Sequence, residues 1–340
     1  MSSPSATPPP PRKAAPRRLV AVVVLVPVVA ALALWAFAWP AARTAPRDLP
    51  LGVAGPASAV TQVERQLSAH AGAFEVHRYA DEPAARDAIE DRDVYGAVVV
   101  TPQGPRLLTA SAASPAVAQL LHRAVAGRAA AEGTRVETVD VVPAPAKDPR
   151  GAALTSSVLP LALAGMAAGA AVTLLGLRGP GAASALVGTA ALTGLIAAAL
   201  AHSWLGVITG DWWAEAGVFA LMSLAVSAAV AGLAALIGPA GVGLMAATVM
   251  LVGNPFSGAA SAPRMLPEPA GTIGQWLPPG AGTTLLRSVS FFDGAAAVGP
   301  ALTLTWWAAL GLGAVLLGAH LRTNTPAPKP TPTRRPAPVG

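Results

Sequence analysis

Six stretches of this sequence run almost without a charged side chain: Leu19 to Trp39, Leu154 to Leu177, Ala182 to Trp204, Ala214 to Ile237, Gly241 to about Gly258, and Val298 to Ala319. Each is close to the length needed to cross a hydrocarbon core of roughly 30 Å, at about 1.5 Å per helical residue. Backbone polar groups in lipid must be satisfied within the chain, so such runs fold as helices. The pattern therefore predicts an α-helical polytopic membrane protein with six spans. The composition agrees, with 53% hydrophobic and 12% charged residues and a mean hydropathy of +0.54. The first run is longer than the apolar region of a signal peptide, which predicts a retained anchor.

The placement of charge sets the expected orientation. Arg12, Lys13, Arg17 and Arg18 precede the first run, Arg322, Lys329, Arg334 and Arg335 follow the last, and neither tail carries an acid. Six spans put both tails on one side, where Arg178 joins them. By the positive-inside rule that side is cytoplasmic. Residues 41–150 hold 12 basic and 13 acidic side chains, so the net charge of +6 comes from the tails. Despite a basic isoelectric point, no basic recognition face for nucleic acid is expected. Residues 1–18 and 321–340 are Pro-rich and predicted to be disordered.

Between the first two runs the pattern changes to short alternating elements. Strands are predicted at 49–54, 74–79, 95–101, 106–110 and 135–142, and helices at 57–70, 82–91 and 115–131, the last with Ser114 before Pro115 as a helix start. The expected organisation is a first helix over 19–40, a small α/β extracytoplasmic domain over 41–150, and a five-helix domain over 151–320 containing an outer hairpin at 263–293. Gly165 and Gly169 are spaced to let a neighbouring helix approach closely.

Several chemistries are missing. The chain has no cysteine, which removes disulfides, thiolate metal sites and cysteine nucleophiles. Lys13, Lys147 and Lys329 are followed by Ala14, Asp148 and Pro330, so no Walker A phosphate loop exists and the chain is not expected to hydrolyse ATP. His70, His77 and His122 lie far apart, and no metal or other cofactor is expected. Ser111 and Ser114 near His122 lack a nucleophile elbow, which argues against a hydrolase. No paired acids lie in mid-span, where an ion-coupled carrier usually places them.

The order of one basic-flanked span, an α/β exodomain and five further spans resembles ABC-2 type permeases, in particular the large-exodomain branch that includes the YhgE/Pip-like membrane proteins. The resemblance, over about residues 19–320, is carried by two patches. One is the apolar strand Val94-Tyr95-Gly96-Ala97-Val98-Val99-Val100-Thr101-Pro102. The other is the proline-punctuated hairpin from Asn254-Pro255-Phe256-Ser257-Gly258 through Pro263, Leu266-Pro267, Trp276-Leu277-Pro278-Pro279 and Leu286-Arg287. It implies an export-type permease of the bacterial cell membrane that forms a homo- or hetero-dimer and works with a separate ATP-binding subunit. With no ionic pathway in the spans, its substrate is expected to be hydrophobic or amphipathic. The Pip-like members also imply an alternative, a non-transporting envelope protein whose exodomain binds a partner or surface ligand.

The hairpin supplies the substrate or gating candidates. Leu285, Leu286, Val289 and Phe292 recur at helical spacing, with Arg287 on the other side. That predicts a short amphipathic helix at the outer interface, with Arg287 placed to meet a lipid phosphate, a polar substrate group or Glu268. Trp276 suits an interfacial anchor. Asp211 and Glu215, beside the fourth run, complete the set.

Overall fold

The computed structural model describes residues 16–69, 72–131 and 133–323, so the expectations for the tails, apart from their helical edges, and for His70 lie outside the described residues. Helix α1 (Pro16–Ala42) opens the chain and includes a candidate span, Val23–Ala42. Pro27 sits inside it, which a membrane helix tolerates when neighbours re-satisfy the freed carbonyl.

The chain then builds a five-stranded sheet from β1 (Leu49–Ala54), β2 (Phe74–Tyr79), β3 (Gly96–Thr101), β4 (Gly104–Thr109) and β5 (Glu137–Asp140). The strand order is β2-β1-β3-β4-β5, with only the β3–β4 hairpin antiparallel. The parallel pairs need crossovers. These are supplied by α2 (Ala57–Ser68) between β1 and β2, α3 (Glu82–Glu90) between β2 and β3, and α4 (Pro115–Ala131) between β4 and β5. Central β1 and β3 are buried on both faces, which is why the sequence there reads as continuous apolar runs. Ile89 of α3 packs on one face, and Val117 and Leu121 of α4 on the other.

The helical part comprises α5 (Ala152–Leu174), α6 (Gly179–Ala198), α7 (Trp212–Ile237), α8 (Pro239–Thr248), α9 (Ala270–Gln275), α10 (Pro278–Phe291) and α11 (Val298–Thr323). π-helical turns continue α6 through Ala199–Leu205 and α8 through Val249–Gly253. Helix α7 is the axis of the bundle, packed by α5, α6, α8, α10 and α11, and most of its length is buried. Its Ala-, Ser- and Gly-rich surface allows this close approach. A Cβ on Gly165 of α5 would lie 2.9 Å from the Val226 Cβ, and one on Gly169 would lie 2.6 Å from the Ser227 oxygen. In contrast, α1 is mostly uncovered and touches the rest near its C-terminal end, where Trp39 meets Phe256 edge to face at 6.1 Å.

Among the described residues five helices, rather than the six expected, are long and apolar enough to cross a membrane. The fifth expected run forms the shorter helix Pro239–Gly253. Its 15 residues rise about 22 Å, short of the roughly 30 Å core. At Gly253 the backbone packs against the Pro279 ring, and Pro255 and a left-handed Gly258 then turn the chain into the hairpin.

Candidate functional site

The hairpin lies between the sheet and the bundle, and that position decides what its side chains can reach. Gly282 of α10 lets the Met222 side chain of α7 lie against its backbone. On the other side, Arg92, in a left-handed turn between α3 and β3, donates from Nη1 to the Thr284 carbonyl at 3.0 Å and to the Ser288 hydroxyl. Its guanidinium also stands 5.1 Å from the centroid of the Phe292 ring. Further ties secure the joint. Ser114 Oγ donates to the Ser261 carbonyl at 2.6 Å, and Arg47 Nη1 to the Met265 carbonyl at 3.0 Å.

Arg287 is therefore interior, 5% exposed, and is covered by protein on both sides of α10. Its Nη2 donates to the Ala259 carbonyl at 2.6 Å. Burial first, and the Arg92 charge second, press its pKa down to about 10, so it stays a cation at neutral pH. Tyr95 is close to both arginines, and burial pushes its phenol pKa upward against their pull. Glu268, the expected partner, is exposed and accepts instead from Thr272 Oγ1 at 3.1 Å. The amphipathic spacing of α10 was read as one wet face. Both faces are covered, by α7 and by the sheet unit.

Asp211 and Glu215 act at the start of α7. Asp211 is its N-cap, accepting from the Ala214 amide at 2.8 Å. Glu215 is wholly buried, with 0% exposure; its Oε1 accepts from the Gly210 amide at 2.9 Å and its Oε2 lies 2.7 Å from His202 Nδ1. His202 sits on the π-helical end of α6. The sequence signal for this pair was a single histidine ending one apolar run and a single glutamate opening the next. For Arg92 no comparable signal exists.

Trp276 belongs to a different feature. Helices α8 and α11 flank α7 without packing on each other along their length, leaving an apolar groove of about 390 Å³ over α7. Leu233 and Leu236 form its floor, Met245 one wall, and Trp306, Leu310 and Ala314 the other. Trp276, 74% exposed, stands at its end, held there by Trp307 Nε1 donating to the Trp276 carbonyl at 2.8 Å.

Ser111 and His122 line one cleft of about 600 Å³ on the sheet unit but do not pair. Ser111 Oγ donates to Asp140, while His122 Nδ1 lies 3.1 Å from Thr138 Oγ1. Ser114 is committed to Ser261. No nucleophile and base are assembled from these residues. Among the described residues, no group of acids and histidines could hold a metal ion.

No curated protein and no solved structure matches the chain. Residues 17–137, which comprise α1 and the sheet unit up to the start of β5, match the family described as ABC-2 family transporter protein, and through this segment the chain resembles the membrane components of ABC-2 transporters.

Proposed function

We propose that the chain is a permease subunit that exports a hydrophobic or amphipathic substrate, energised by a separate ATP-binding subunit. The family match supports the permease role, and a permease of this family is a transport component and not itself a hydrolase. The observation that carries the substrate class is the groove between α8 and α11, whose lining is apolar apart from Thr303. A groove on spanning helices is open to lipid, so an apolar molecule can enter it without crossing water. Trp276 and Trp307 would then mark the depth at which the polar end of a substrate sits. The family match does not favour the non-transporting alternative.

Six passes with both termini in the cytoplasm remain our reading of the topology. What supports it is the course of α8. Gly241 packs against Leu233 and Ala234 near the C-terminal end of α7, and Gly253 lies beside Pro279 of α10, the helix whose Gly282 meets Met222 in the N-terminal half of α7. That course, from the C-terminal end of α7 back toward its N-terminal half, supports reading α8 as a short return pass. The exposed length of α1 is a surface on which a second subunit could pack, in keeping with a dimer. The similarity to the YhgE/Pip-like branch rests on the large insert between α1 and α5.

The test is purification in mild detergent, with bound lipids and proteins identified by mass spectrometry, for the native chain and for Leu310→Trp, an exposed lining position where the larger ring fills the groove. The native chain should carry an ATP-binding protein and an apolar ligand, and Leu310→Trp should retain the protein but lose the ligand. Identical lipid content in both, with no ATP-binding protein, would overturn the proposal.

A further inference from the structure

Beyond transport, one arrangement at the joint between sheet and helices calls for a ligand. Arg287 lines a narrow crevice together with Ser111, Ala144, Asp148, Val207 and Phe291. Its free volume, about 10 Å³, is close to the minimum that holds one water-sized particle. A buried guanidinium normally meets a carboxylate, because an unpaired charge is costly to remove from water. Arg287 meets none among the described residues. The groups near enough to influence its charge are Arg92, a second, half-buried cation, and Tyr95.

The acid on the crevice wall is already occupied. Asp148 accepts from the amides of Ala152 at 2.7 Å, Ala153 at 2.9 Å and Leu154 at 3.2 Å, so its charge faces the N-terminus of α5. The Ser111 hydroxyl is likewise engaged, donating to Asp140 and accepting from the Ala144 amide at 2.8 Å. The side chain that brings uncompensated charge to the crevice is Arg287, and the charge is positive.

We propose that this crevice is a binding site for a small monovalent anion, a halide such as chloride, held by the Arg287 guanidinium. Chloride, with a radius of about 1.8 Å against about 1.4 Å for water, enters if the walls give by a few tenths of an ångström, whereas an oxyanion such as sulfate, or an organic anion such as gluconate, needs far more room. The anion offsets the repulsion between Arg287 and Arg92 and fastens α10 between the sheet unit and the bundle. Because the crevice exists only in the folded protein, the bound anion stabilises the fold by mass action.

The experiment follows thermal unfolding of the purified full chain by tryptophan fluorescence in sodium chloride, bromide, gluconate and sulfate at equal ionic strength. Chloride and bromide should raise the midpoint saturably, by about 5 °C relative to gluconate, and sulfate should not. Arg287→Gln should lose the difference. If Arg287→Gln does not fold, Ala144→Leu decides the matter, since it narrows the crevice and leaves the arginine in place; it should fold and show no halide effect. Equal midpoints for the native chain in chloride and gluconate would mean that the crevice takes water only, and would overturn the proposal. A halide effect undiminished in a folded Arg287→Gln or Ala144→Leu protein would do the same.

Discussion

His202 and Glu215 are thirteen residues apart and hydrogen-bonded at 2.7 Å, and that contact explains how a fully buried acid is tolerated at the head of α7. Glu215 is buried whereas His202 is 30% exposed, and losing the partner of a buried acid is costly, because the acid keeps its polarity and loses part of its satisfaction. His202→Leu should therefore lower stability by about 3 kcal/mol. Glu215→Gln, which retains a hydrogen-bonding oxygen for the Gly210 amide, should lose less. Denaturation in detergent checks the order, and equal stability of native protein and His202→Leu would show that the pair holds nothing. At this scale the sequence was a partial guide. It picked out Asp211, Glu215 and Arg287 as polar residues bordering apolar runs, but the partners of Glu215 and Arg287 lie on other elements and could not be read from spacing.

Helix α5 shows how element packing depends on missing side chains. Gly165 and Gly169 are two turns of one ridge, and their backbones lie against Val226, Ser227 and Val230 of α7. In lipid, helices gain nothing from leaving water, so close contact must hold them together. Gly169→Leu should destabilise the α5–α7 pair by about 1–3 kcal/mol through overpacking. Gly188→Leu on α6, where an added Cβ meets nothing within 4 Å, should be near neutral. Thermal unfolding of the two variants side by side measures the difference, and equal effects would refute the packing role. The strand and helix positions of the sheet unit were legible because buried strands and crossover helices carry different apolar periods. Helix α8 is shorter than its apolar run for a physical reason. The apolar run continues to about Gly258, but the helical turns end at Gly253, where Pro279 lies against the backbone, and Pro255 and the left-handed Gly258 then lead the chain into the hairpin.

For the whole molecule, the proposed topology makes a direct prediction, favoured by a native sequence without cysteine. Cysteine placed at Ser68, an exposed residue at the end of α2, should react with an impermeant thiol reagent in intact cells, while cysteine at Ser5 or Thr331 should react only after lysis. Labelling of the tails alone would reverse the orientation. The sequence by itself determined that the chain is a helical membrane protein with a small α/β unit between its first two spans. Hydropathy and charge act locally along the chain, and lipid leaves the backbone no alternative to the helix. Only the tertiary structure decided that Arg287 is interior, that Glu215 pairs with His202, and that α8 and α11 stand apart over α7 to leave a groove beside Trp276. Each of these depends on which surfaces of distant elements meet, and residues 200 or so positions apart, such as Arg92 and Ser288, leave no periodic trace of their contact.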